Sequence, residues 1–131
     1  MIAIDTNVLL RLLTRDDAAQ AGKAQRAIEA AQAAGDSVLV NDIVLAETLW
    51  TLASRYGVDK PDLLRALRGL LDTATFVFES RPVLIEAVER YATCAADFAD
   101  CLITAKNAAL NAQPTLTFDR AMRGLPAVRL L

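Results

Sequence analysis

Asp5, Glu47, Asp100 and Asp119 are four acids far apart in the chain, each placed where an α/β fold puts its chemistry. Asp5 and Asp119 directly follow short apolar runs with strand character, Ile2-Ala3-Ile4 and Thr115-Leu116-Thr117-Phe118. Glu47 lies two turns or less into the helix expected after the second strand, and Asp100 in the first turn of a helix leading back to the sheet. In open parallel sheets ligands sit beyond the carboxyl ends of the strands, where successive loops converge, so all four acids can reach one edge. Carboxylates gathered without an intervening Lys or Arg repel one another, and a hard divalent cation with oxygen ligands relieves that repulsion. Magnesium or manganese fits. Such an ion lowers the pKa of a bound water and stabilises charge developing on a phosphate during in-line displacement. The chain has no histidine, which removes Ser-His-Asp and Cys-His nucleophile systems and imidazole acid–base catalysis. Carboxylate and metal chemistry remain.

Each acid also has a plain structural explanation. Asp5 and Asp119 can be helix N-caps, and Asp100 can be the N3 acid reaching back to an N-cap at Asp97. Glu47 resists that explanation. It stands between Leu45-Ala46 and Leu49-Trp50 in a helix apolar on most faces, where burial of an unpaired carboxylate would cost several kcal/mol.

The elements that must position these acids follow from periodicity and punctuation. Met1 to Ile4 is a strand, and Val8, Leu9, Leu10, Leu12 and Leu13 recur at helical density after Asp5. Asp16 or Asp17 caps a second helix that Gly35 ends, and Ser37 to Val40 is the second strand. Asn41 or Asp42 caps a helix running to about Tyr56, and Lys60-Pro61-Asp62 starts its hairpin partner. Thr75 to Phe78 is a strand, Ser80 caps a helix, another helix runs from near Asp97 to about Asn111, and Thr115 to Phe118 is a strand. A short helical turn at Asp119 and an edge strand from Pro126 to Leu130 complete the chain. Strands alternating with helices predict a single α/β domain over residues 1–131, a three-layer α/β/α arrangement with a central parallel sheet of about four to five strands.

Composition bounds the rest. Fourteen Lys and Arg against 16 Asp and Glu give no overall basic footprint, although a metal site absorbing four acids would leave 14 bases facing 12 acids and a mildly basic remainder. The apolar fraction of 54% is high for so small a domain, which predicts some apolar surface covered by another chain. No run of about 18 apolar residues suggests a membrane span, and no basic segment followed by a long apolar run suggests export, so the expected location is cytoplasmic. Cys94 and Cys101 fit no zinc spacing and are taken as small core residues.

Four motifs together carry a family resemblance across essentially the whole chain: Asp5-Thr6-Asn7 after the first strand, Glu47 in the second βα unit, Ala96-Asp97-Phe98-Ala99-Asp100-Cys101-Leu102-Ile103, and Thr117-Phe118-Asp119-Arg120. In this order and spacing the sequence resembles a PIN domain, and in size the VapC-type toxin ribonucleases of VapBC toxin–antitoxin pairs. The resemblance implies a magnesium-dependent endoribonuclease with Asp5, Glu47, Asp100 and Asp119 as its catalytic acids. Asp5 and Asp100 would be the principal metal ligands, with Glu47, Asp119 and Asp97 as further candidates. Thr6, Asn7 and Thr117 would support the carboxylates or their waters. The third motif holds two acids three residues apart, of which Asp97 is the better N-cap and Asp100 the better ligand. The resemblance also implies an RNA substrate, a VapB-like antitoxin and a homodimer. The leucine-rich hairpin from Asp42 to Leu71 is a candidate groove for an antitoxin helix, with covering the sheet as the competing use of the same leucines. Arg11, Arg15, Lys106, Arg120 and Arg123 flank the acidic motifs and are the candidates for steering RNA, although an exposed arginine is by default merely solvated.

Rival classes are less well served. An aspartate-nucleophile phosphohydrolase needs a second acid two residues after the first, where Asn7 stands. A phospho-acceptor receiver domain needs an aspartate after strand three, where the chain has Phe78-Glu79-Ser80-Arg81. A non-catalytic PIN-like binding module would have no need of four intact acids.

Overall fold

Three short apolar runs spread over the first 79 residues, each cut short by a polar residue, form the first sheet. The computed structural model describes residues 1–131 and resolves into two units, Met1–Glu79 and Ser80–Leu131. In the first unit β1 (Ile2–Ala3), β2 (Val38–Leu39) and β3 (Phe76–Val77) pair in parallel in the order β1-β2-β3. Ile2 registers with Val38, and Val38 with Phe76. The central strand is the most buried: Val38 and the following Val40 are fully enclosed, as a strand covered on both faces requires. Because the strands run the same way, Asp5, Asn41 and Glu79 all lie beyond their carboxyl ends.

The helices of this unit start where side-chain caps allow. Asp5 caps α1 (Thr6–Thr14), Asp17 caps α2 (Ala18–Ala33), Asn41 caps α3 (Asp42–Ser54) and Asp59 caps α4 (Lys60–Asp72). Each cap carboxylate or amide accepts a backbone N–H that would otherwise be orphaned at the helix start. Gly35 and Gly57 take left-handed backbone angles (φ 68° and 63°), which glycine adopts without the Cβ penalty, shortly after α2 and α3 end. Ile28, Ala31 and Val38 are buried together with Ile4, Leu12 and Phe76 packed on them, joining α2 to all three strands.

One expectation is corrected here. Helix α3 buries only one side, with Val44, Leu45, Thr48, Leu49 and Leu52 inward, whereas Ile43 and Trp50 are 68% and 59% exposed and Glu47 lies on the same outer side. The penalty argument for a buried Glu47 therefore fails: its carboxylate is solvated. The leucines of the α3–α4 hairpin are also largely consumed internally, since Leu45, Leu49, Leu52, Leu63, Leu67 and Leu70 are buried. They serve the core, and Leu70, with Ala66 and Gly69, also lines a largely apolar pocket shared with α1 and α2.

The second unit contains α5 (Arg81–Thr93), α6 (Phe98–Ala109), β4 (Thr115–Thr117), a 3-10 turn (Arg120–Gly124) and β5 (Val128–Leu130). Helices α5 and α6 pack through Leu84, Ala87, Val88, Tyr91, Phe98, Cys101 and Leu102, all buried, with the Tyr91 and Phe98 rings edge-to-face at 5.9 Å. β4 and β5 pair in parallel, Thr115 with Val128 and Thr117 with Leu130. The five expected strands are thus present, all in parallel pairs, but as a three-stranded and a two-stranded ladder. No helix is long and apolar enough to cross a membrane.

Candidate active site

In the first unit, Asp5 caps α1 through Oδ1, which accepts the Val8 amide at 3.0 Å. A carboxylate offers about four lone-pair positions, so one cap bond fixes the group's orientation and leaves Oδ2 available. Thr6 and Asn7 follow in the first turn, and both line the same polar pocket as Glu47. Asn7 also lines, with Asp5, the cleft over the outer side of β1.

Glu47 is held by what fixes the start of α3. The Asn41 side chain accepts the Val44 amide at 2.9 Å, and the Glu79 carboxylate, 37 residues away in sequence, accepts the Asp42 amide at 2.6 Å. Glu79 was not singled out from sequence, and no local pattern reveals it, because its partner lies on another element.

In the second unit, Asp97 caps α6, its Oδ1 accepting the Asp100 amide at 2.9 Å. The expectation that Asp97 is the cap and Asp100 the first-turn acid is met. Asp119 caps the 3-10 turn by accepting the Ala121 amide at 2.9 Å, and its own amide donates to Thr117 Oγ1 at 2.9 Å. Thr117 thus holds the backbone of the turn that carries Asp119.

Burial and two neighbouring acids act on Asp100. Partial burial of Asp100, the charge of Asp97, a hydrogen bond between these two carboxyls and the charge of Asp119 together push the Asp100 pKa up to about 6. All these influences point the same way, as expected where carboxylates converge without a neutralising partner. Carboxylate oxygen is the donor type that a hard divalent cation takes. Within either unit no three such side chains stand close enough together to hold an ion.

The raised pKa has a consequence for the metal-free protein. The folded state holds a proton on Asp100 that the unfolded chain, with an ordinary carboxyl near 3.8, has released, so this group's contribution to stability falls as pH rises from about 4 to about 6. Solvent screening of so accessible a carboxyl limits the effect to about 1 kcal/mol. Urea unfolding in EDTA is expected to show wild type losing about that much more stability than Asp100→Asn between pH 4.5 and 7. Equal pH dependence in the two proteins would refute the assignment.

The basic candidates are distributed over both units. Arg11 lines the pocket with Glu47 but is paired with Asp16 at 3.2 Å and donates to Gln20 Oε1 at 2.7 Å. Arg15 donates to Gln25 Oε1 at 3.2 Å. Lys106 lies in the last turn of α6, and Arg120 and Arg123 are exposed on the 3-10 turn. Cys101 is buried and Cys94 half-buried, both as thiols with sulfurs 3.3 Å apart. That placement agrees with packing residues.

Comparison with known proteins adds the lineage. The family model described as PIN domain matches residues 2–127, spanning both units. A curated relative, the VapC ribonuclease of Aquifex aeolicus (strain VF5), is 24% identical over 125 residues, covering 95% of this chain and 92% of the relative. No solved structure matches.

Proposed function

The chain belongs to the PIN domain family, and on that premise we propose that it is a magnesium-dependent endoribonuclease, the toxin of a type II toxin–antitoxin pair. The observation that carries this is the near-complete match in length to a VapC ribonuclease, together with a second unit in which burial and the charges of Asp97 and Asp119 bear on Asp100. The proposed catalytic set is Asp5, Glu47, Asp100 and Asp119, taken from the order of the family-like motifs. Asp5 and Asp100 are its principal metal ligands, with Glu47, Asp119 and Asp97 as accessory acids.

When bound, Mg2+ or Mn2+ supplies Lewis acidity toward the phosphate and a lowered pKa for water. The protein groups orient and accept. Asp5 and Asp119 each commit one oxygen to a backbone amide, which locks the carboxylates before substrate arrives. Asp100, whose oxygens accept no backbone amide, must give up its proton before it can hold a cation. Without histidine, any proton moved at the site passes through carboxylate or water. A VapB-like antitoxin, a homodimer and a cytoplasmic setting belong to the same proposal.

The test is cleavage of a mixed, end-labelled RNA pool by the purified protein. Cutting is expected with Mg2+ or Mn2+ and is expected to vanish in EDTA. Undiminished cutting in EDTA would refute metal dependence, and equal metal-dependent cutting by Asp100→Asn would take Asp100 out of the catalytic set.

A further inference from the structure

The pocket that Thr6, Asn7 and Glu47 line has another wall that the catalytic proposal leaves unused. It has a volume of about 390 Å³ and is closed on that side by Trp50, Arg55 and Tyr56, from the last turns of α3 and the residues just beyond. Trp50 is 59% exposed and Tyr56 39% exposed, so both rings present surface to solvent. They are not equally free. The Tyr56 hydroxyl donates to Asp16 Oδ2 at 2.7 Å, and Arg11 and Thr14 donate to Asp16 Oδ1 at 3.2 and 2.8 Å. This network holds the Asp16 carboxyl below its usual pKa and fixes the Tyr56 ring in place. Arg55 forms no ion pair. An unpaired guanidinium beside an exposed indole and a pinned phenol ring is a surface for a planar group joined to an anion.

We infer that this pocket binds one unpaired nucleotide of single-stranded RNA, with the base stacked on Trp50 and a flanking phosphate paired with Arg55. The choice of occupant follows from the chemistry on the wall. Base faces stack on aromatic side chains without sequence preference, and phosphates attract arginine. In a duplex the base faces are already stacked, so the strand must be single. Glu47, Thr6 and Asn7 on the opposite side of the pocket place the bound nucleotide beside proposed catalytic groups. The inference rests on the ribonuclease reading for the identity of the polymer and on nothing else in it.

Trp50 is the only tryptophan in the chain, so its fluorescence reports on this pocket alone. Wild-type protein in EDTA, where cleavage is suppressed, is titrated with short dye-labelled single-stranded RNA oligonucleotides. Tryptophan emission and dye anisotropy are followed at low and moderate salt. Saturable quenching is expected, with the same midpoint as the anisotropy change and a midpoint that rises with salt. Arg55→Gln is expected to weaken binding about 5- to 10-fold, and Trp50→Ala about 10-fold or more by anisotropy, with circular dichroism unchanged.

Binding seen by anisotropy but without quenching, and at unchanged affinity in Trp50→Ala, would overturn the pocket and leave the ribonuclease reading intact. Equal quenching by inorganic polyphosphate, which has no bases, would overturn the stacking assignment. A response to an amphipathic peptide but to no oligonucleotide would make this a peptide site and reject the inference. Quenching by RNA in a preparation that cuts nothing with metal present would uphold the pocket and count against the ribonuclease reading alone.

Discussion

Asp100→Asn is expected to lower metal-dependent RNA cleavage by at least about 100-fold, the scale on which loss of one charge-stabilising group acts on a phosphoryl or acyl transition state. The substitution preserves shape and removes the charge. Because burial, with the charges of Asp97 and Asp119, pushes the Asp100 carboxyl up to about 6 in the metal-free protein, removing its charge is expected to keep or raise the melting temperature. Activity lost with stability retained separates a metal ligand from a structural acid. Asp97→Asn supplies the contrast: asparagine caps as well as aspartate, so the Asp100 amide keeps its partner and the fold is expected to hold. If Asp97→Asn abolishes cleavage while Asp100→Asn leaves it intact, the ligand assignment within the third motif is reversed.

Leu45→Ala is expected to destabilise the protein by about 2–5 kcal/mol, measured as the loss in urea unfolding free energy. Leu45 is fully buried in α3, and truncation leaves a cavity on the face that seats this helix. Domains of this size are held by about 5–15 kcal/mol in total, so the loss is a large share of what is available. Leu45 lies two residues before Glu47, which connects packing to function: the same helix that loses its inner support carries Glu47, Trp50 and the approach to Arg55 on its outer side. A change below about 0.5 kcal/mol would mean that α3 is not anchored through this side chain.

The caps show why so much of the local structure was legible. Asp5, Asn41, Ser80, Asp97 and Asp119 each begin a helix or turn where a short polar side chain precedes an apolar recurrence, and each accepts an amide two or three residues on. A bond spanning three residues is written in the sequence that spans it. The parallel pairing was legible for a similar reason, since strands separated by helices leave room for little else.

Glu47 shows where this kind of inference stops. Its helix carries apolar residues on both sides, so periodicity alone made it look buried. The structure turns Val44, Leu45, Thr48, Leu49 and Leu52 inward and leaves Ile43, Glu47 and Trp50 outward. Which stripe of an apolar helix faces the core depends on the neighbour it meets, and that neighbour is not encoded within the helix.

What the sequence determined by itself was the family, the order of the acids and the starts of the helices, because motif spacing, capping and hydrophobic period are properties of adjacent residues. Tertiary structure alone decided the bond from the Asp42 amide to Glu79, the pinning of Tyr56 by Asp16 across 40 residues, and the raised pKa of Asp100. The first two depend on groups distant in sequence being brought within hydrogen-bond reach, and the third on burial of a carboxyl beside other acids, where desolvation and Coulomb interactions become large enough to matter.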